Sequence, residues 1–143
     1  MSFTNPPDDV LRKLLTEART IAVVGASSKP HRASYGIFQK LLAAGYRVIP
    51  VNPNETEVLG QRAYPSLKTV PGKVDIVDVF RRAEETPAIA DSAVSIGAAA
   101  LWLQQGIVSD RAAARAVAGG LVVVMDQCIG VTHSFLQIPR VIQ

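Results

Sequence analysis

The sequence predicts an α/β fold: one doubly wound domain over residues 1–143, with a mostly parallel sheet and helices on both faces. Three observations predict it. Short continuous apolar runs, of the kind found in strands buried on both sides, alternate with stretches whose apolar residues recur at helical spacing. Glycine and proline punctuate the boundaries between them. No internal repeat and no long linker divides the 143 residues, a length that supports one sizeable core.

Residues 1–9, with Pro6, Pro7, Asp8 and Asp9, read as an irregular lead-in. Asp8 or Asp9 is placed to cap a short helix whose apolar positions Val10, Leu11, Leu14 and Leu15 share one face. The first strand, about Thr20–Val24, ends at Gly25. A helix over about Ser34–Ala44 follows the loop, with Ile37, Phe38, Leu41 and Leu42 as its stripe. Gly45 stands where a left-handed residue closes a helix. Tyr46–Val51 is the second strand, stopped by Asn52-Pro53-Asn54. This completes a β–α–β unit, whose crossover is right-handed and whose strands are parallel.

Residues 52–73 carry Pro53, Gly60, Pro65, Pro71 and Gly72 and read as loops. Gln61–Tyr64 is a candidate short edge strand, and Ser66 is placed to cap one turn carrying Leu67 and Val70. Val74–Phe80 is a mostly apolar strand ending at Arg81-Arg82. A helix opens at Thr86 or Pro87, turns Ile89, Ala90, Ala93, Val94 and Ile96 inward, and ends at Gly97. A strand at Ala99–Leu103, a helix at Ser109–Ala118 and a strand at Leu121–Met125 follow. Residues 126–143 show no strong period. The alternation implies an open parallel sheet of Rossmann-like type.

Hydrophobic residues at 48% and charged residues at 19% exclude a disordered chain. The net charge of +3 is too small to indicate nucleic acid, and no helix-turn-helix segment is evident. A single cysteine, Cys128, excludes an intramolecular disulfide framework. Met1–Asp9 lacks the pattern of a signal peptide, and no apolar run reaches the roughly 18 residues of a membrane span. A cytoplasmic protein with no membrane association is expected.

A strand that opens through glycine into a helix N-terminus presents backbone N–H groups to an anion, and the helix dipole favours negative charge. The stretch Gly25–Gly36 has this form and carries Lys29 and Arg32. In doubly wound folds ligands lie beyond the C-terminal strand edge, where the strand order reverses. The strand ends at Gly25–Gly36, Asn52–Asn54, Phe80–Arg82 and Gln104–Gly106 are therefore expected to converge on one crevice for a small polyanionic ligand. An NAD(P) site needs a glycine-rich turn and, at the end of the second strand, an acid. Gly25 and Gly36 do not fit that spacing, and Asn52-Pro53 stands where the acid is required.

Six segments then carry a family resemblance: Val24-Gly-Ala-Ser, Gly45-Tyr-Arg-Val-Ile-Pro-Val-Asn-Pro53, Leu59-Gly60, Val74-Asp-Ile-Val-Asp-Val-Phe-Arg81, Leu101-Trp-Leu-Gln-Gln-Gly-Ile107 and Val124-Met-Asp-Gln-Cys128. In this order, over about residues 18–130, the chain resembles the small stand-alone CoA-binding proteins. Their domain is similar to the N-terminal domain of the succinyl-CoA synthetase α subunit. The resemblance implies coenzyme A or an acyl-CoA as the bound ligand. Its phosphates would lie on Gly25, Ala26, Ser27 and Ser28, with Lys29 and Arg32 nearby and Ser34, Tyr35 and Gly36 at the helix start. The adenine side would lie against Val51, Asn52 and Pro53, with another wall at Val79, Phe80 and Arg81. A neutral Asn52 suits a ligand with an additional 3′-phosphate, which a carboxylate would repel. The synthetases carry their phosphoryl-accepting histidine in other domains, so the resemblance implies binding without a catalytic apparatus.

Two alternatives stay open. Cys128 and His133, five residues apart, suggest chemistry on a CoA thioester, against a reading in which Cys128 fills space at a strand end. The other is a nucleotide-responsive regulatory module that binds NAD(P) and is read by a partner protein. One cysteine and two distant histidines do not make a zinc site. His31 is either a phosphate donor or an exposed loop residue. Trp102 is expected in the core, and Gln104 and Gln105 are placed to meet the pantetheine arm. Asp75 and Asp78, three apart on a strand, point to opposite faces and form no acid–base pair. Asp75 is expected at the open end of its strand and Asp126 at the edge of the last one.

Overall fold

A computed structural model describes residues 3–143; Met1 and Ser2, the start of the expected lead-in, lie outside the described residues. In chain order the elements are α1 (Asp8–Glu17), β1 (Thr20–Val24), α2 (Ala33–Ala43), β2 (Arg47–Val51), β3 (Glu57–Val58), β4 (Gln61–Arg62), β5 (Ile76–Val79), α3 (Thr86–Ser95), β6 (Ala100–Leu103), α4 (Asp110–Ala118), β7 (Val122–Val124) and α5 (Ile129–Phe135). Single 3₁₀ turns stand at Leu67–Thr69 and Ala83–Glu85.

Five strands, in the order β2-β1-β5-β6-β7, make a parallel sheet. The chain leaves β1 for β2 on one side, then passes to β5 on the other. The order therefore reverses between β1 and β5. Pro50, which cannot donate to a ladder, sits in β2 at the sheet edge.

Side-chain alternation along β1 divides the core into two layers. Ile21 and Val23 join Leu11 and Leu15 of α1, Phe38 and Leu41 of α2 and Ile129 of α5. Ala22 and Val24 join Ala90 and Ala93 of α3 and Ala112, Ala113 and Ala116 of α4. The alanines let α3 and α4 approach closely. A Cβ on Gly119, just past α4, would lie 2.5 Å from Val94 of α3.

Several expectations are corrected. The lead-in ends at Pro7, which is itself the N-cap of α1, its carbonyl accepting the N–H groups of Val10 and Leu11. Asp8 and Asp9 lie inside the first turn, where their charge favours the helix dipole without capping it. Gln61–Tyr64 is not one edge strand. Gln61 and Arg62 pair with Glu57 and Val58 in a separate hairpin, and only Tyr64 bridges to Val51 of the main sheet. Asp75 lies before β5, at the strand's N-terminal end, where its carboxylate accepts the N–H groups of Arg19 and Thr20 at 2.9 and 3.0 Å. Residues 126–143 hold α5, whose N-terminus is tied by the Ile129 N–H to Gln104 Oε1 at 3.0 Å.

Beyond α5 the chain runs back to the N-terminal edge of the sheet. Val141 N–H donates to Ala44 O at 2.8 Å, and the Gln143 amide donates to Arg19 O and Gly45 O at 2.9 and 3.1 Å. Gly45 has φ +97°, and a Cβ there would lie 2.1 Å from Val141 O. Only glycine fits.

Candidate functional site

The C-terminal ends of β1 and β5 meet at Gly25. Its N–H donates to Val51 O at 2.9 Å, while Phe80 N–H donates to Val24 O at 2.8 Å. Gly25 has φ +89°, and an added Cβ would lie 2.6 Å from Phe80 O. The loop beyond it is organised by its own polar groups. Ser27 Oγ accepts the Lys29 N–H at 3.1 Å, and Arg32 N–H closes a turn on Lys29 O at 3.0 Å. Arg32 is the N-cap of α2, and the first helical turn contains no acid, leaving the positive end of the helix dipole open.

Three cavities adjoin this junction. The first, about 480 Å³, is lined by Gly25, Ser27, Lys29, Arg32, Ala33 and Ser34 of the loop and α2 start. Asn52, Asn54 and Glu55 from the turn after β2, with Phe80 and Arg81, complete it. The second, about 400 Å³, lies between the β2 end and α3, with Val51, Pro53, Leu67, Ala88 and Ile89 among its walls. The third, about 580 Å³, is bounded by Ala33, Ile37, Phe80, Gln104, Ile107 and Cys128, with Gln105 and Arg82 at its side. Arg81 lines all three. Its guanidinium donates to Glu85 Oε1 at 2.6 Å through Nη2 and at 3.2 Å through Nε, and this bonding holds the Glu85 carboxyl below the usual carboxylate range.

The residues expected from sequence fall into three groups. Gly25, Ser27, Lys29, Arg32, Ser34, Asn52, Phe80 and Arg81 line the first cavity; Val51 and Pro53 line the second. Ala26, Ser28, Tyr35, Gly36 and Val79 line none of the three. Ala26 and Val79 are buried beneath the junction, and Ala26 O accepts the Asn52 side-chain amide at 2.9 Å. His31 is exposed and also outside the cavities.

Glu55 and Glu85 were not singled out by the sequence. Glu55 Oε2 accepts the Ser28 N–H at 2.8 Å and the Ser28 hydroxyl at 3.1 Å. The only signal was the Asn52-Pro53 turn, which closes with Glu55 N–H on Asn52 O at 3.2 Å and so carries Glu55 back toward the loop.

Cys128 and His133 do not meet in a cavity. Cys128 borders the third cavity, whereas His133 is buried edge-on against Tyr46, ring centroids 5.9 Å apart. Burial, with a smaller contribution from Lys40, pushes the imidazole below its usual value. Asp78 is fully buried in β5 with Oδ1 unpartnered, while Oδ2 accepts the Gln104 side-chain amide at 3.5 Å. Burial pushes its carboxyl well above the usual range. Trp102 is buried, its indole N–H on Gln127 O at 2.7 Å. Asp126 has φ +56° and accepts the Gly106 N–H at 2.7 Å. Among the described residues no three His, Cys, Asp or Glu side chains gather as metal ligands, and no helix is long and apolar enough to cross a membrane.

Residues 19–134 match the model of a CoA binding domain. The chain belongs to the CoA-binding domain family. It is 41% identical over 130 residues to the uncharacterized protein YneT of Bacillus subtilis, an alignment covering 91% of this chain and 96% of that one. A hypothetical protein from Pyrococcus horikoshii shares the fold at TM-score 0.90 with 36% identity, over 96% of this chain and 99% of the other. Similarity also reaches a larger protein, the alpha subunit of the ADP-forming acetate–CoA ligase II of Pyrococcus furiosus. The identity there is 48% over 59 residues, 41% of this chain but only 13% of that subunit. The CoA-binding domain and the parallel sheet with helices on both faces agree with the sequence-derived expectation.

Proposed function

We propose that this protein holds coenzyme A or an acyl-CoA across the β1–β5 switch point, without a catalytic apparatus of its own. The observation that carries the reading is the meeting of three differently lined cavities on one side chain, Arg81. The first, polar and bounded by Lys29, Arg32 and the start of α2, suits a diphosphate. The second, with Val51, Pro53, Leu67 and Ile89, suits a planar base. The third, with Ile37, Phe80 and Ile107, suits the pantetheine arm and directs its end toward Cys128. Membership of the CoA-binding domain family supports the same ligand. Attachment to a partner protein that senses occupancy fits this role.

Calorimetric titration with CoA, ADP and NAD tests the proposal. CoA is expected to bind more tightly than ADP, because only CoA fills the third cavity, and NAD is expected to bind least. Absence of CoA binding at high micromolar concentration overturns it. For the non-catalytic part, intact mass is measured after incubation with acyl-CoA. Unmodified protein and unhydrolysed thioester are expected; an acyl group trapped on Cys128 would transfer the function to the enzyme class.

A further inference from the structure

Two donors of the loop, both on Ser28, are already taken by an anion of the protein itself. Ser28 gives both its N–H and its hydroxyl to one oxygen of Glu55, at 2.8 and 3.1 Å. Glu55 lines the first cavity together with Lys29, Arg32 and Arg81, and its carboxylate stands on the two Ser28 donors, Ser28 itself lying outside the lining. A structural tie alone does not explain it, since the turn is fixed without this side chain. The Asn52 amide donates to Ala26 O at 2.9 Å, Asn54 N–H donates to Asn52 Oδ1 at 2.9 Å, and Glu55 N–H closes on Asn52 O at 3.2 Å. Ser28 is moreover exposed, where one more such bond contributes little net stability. A carboxylate that accepts from a backbone N–H and a hydroxyl offers the loop what a phosphate oxygen pair would offer.

We infer that Glu55 is an internal competitor for the anion site, a latch that an incoming phosphate displaces. The inference rests on the reading of the Gly25–Ser34 loop as a phosphate cradle. Glu55 is only half-buried, so rotation of its side chain releases it to solvent. Binding then exchanges one anion for another on the same donors. In the occupied state its negative charge still opposes the ligand.

Glu55→Gln keeps an oxygen for Ser28 and removes the charge. Both CoA and inorganic pyrophosphate are expected to bind this variant about three- to tenfold more tightly than the native protein at low salt, with the gap narrowing as salt is raised. The Ser28 amide resonance of the native protein is expected to shift on adding pyrophosphate as its acceptor changes. Equal or weaker pyrophosphate binding by the variant overturns the latch, as does absence of pyrophosphate binding by both proteins. Tighter pyrophosphate binding with no CoA binding keeps the latch and sinks the CoA reading instead. Thermal melting checks that the variant folds; should it not, Glu55→Ala is titrated in its place under the same criteria.

Discussion

Gly25 meets two demands at once, a left-handed backbone at φ +89° and a carbonyl, Phe80 O, lying 2.6 Å from where a Cβ would stand. Phe80 O is main chain and cannot yield by rotating a side chain, whereas Arg81 Cδ, at 3.0 Å, can. Gly25→Ala is expected to cost about 2–4 kcal/mol and to abolish CoA binding, read by urea denaturation and calorimetry. Native stability in this variant would mean that the strand ends separate freely. Asp78 makes a prediction of opposite character. An acid whose pKa is raised in the folded state holds its proton more tightly there than in the unfolded chain. Its contribution to stability therefore declines as pH rises from the ordinary carboxylate range toward the raised value. Asp78→Asn cannot ionise and should remove that decline, seen as flatter urea midpoints as pH rises above the ordinary carboxylate range. His133 acts the other way. Its imidazole is held low when folded, so stability is lost as pH falls below the ordinary imidazole value, in native protein and Asp78→Asn alike. A pH profile unchanged by Asp78→Asn would remove Asp78 from this account.

Among the elements, those with a strong period were legible, and those set by tertiary contact were not. β1 was read with its observed bounds because five buried residues run straight into Gly25. α5 was missed because its seven residues bury Gly130, Thr132 and His133 beside Ile129, a mixture with no apolar period. The β3–β4 hairpin was half-read because its turn is Leu59-Gly60, both at positive φ, where Asn-Gly is the usual signature. Gly25, Lys29, Arg32, Asn52, Phe80 and Arg81, which line the first cavity, were legible because they stand at or just beyond the C-terminal ends of strands. Glu55 and Glu85, which line the first and second cavities, were not, because a carboxylate runs against the expectation of a polyanionic ligand that located the rest. Helix approach gives the prediction proper to this scale. Gly119→Ala is expected to lower stability by about 1–3 kcal/mol by forcing Val94 aside. Val94→Ala in the same chain should recover part of that loss, measured by a double-mutant cycle. Additive losses would show that α3 and α4 do not meet there as described.

For the whole molecule, convergence on Arg81 means that one side chain joins the three parts of the proposed site. Arg81→Ala should weaken CoA and ADP binding alike, whereas Lys29→Ala combined with Arg32→Ala should weaken both and also flatten the salt dependence of binding. Saturating CoA at about a hundred times Kd should stabilise the native fold by about 2.7 kcal/mol, a shift visible in thermal melting. No shift would argue that the cleft is not a ligand site. The three cavities open at the C-terminal ends of the strands, while Val141 and Gln143 are pinned beside Ala44, Gly45 and Arg19 at the N-terminal ends. The molecule thus has a working pole and an anchoring pole. A biosensor surface, a fluorophore or a further polypeptide joined after Gln143 would depart from the anchoring pole, leaving the mouth facing the solution.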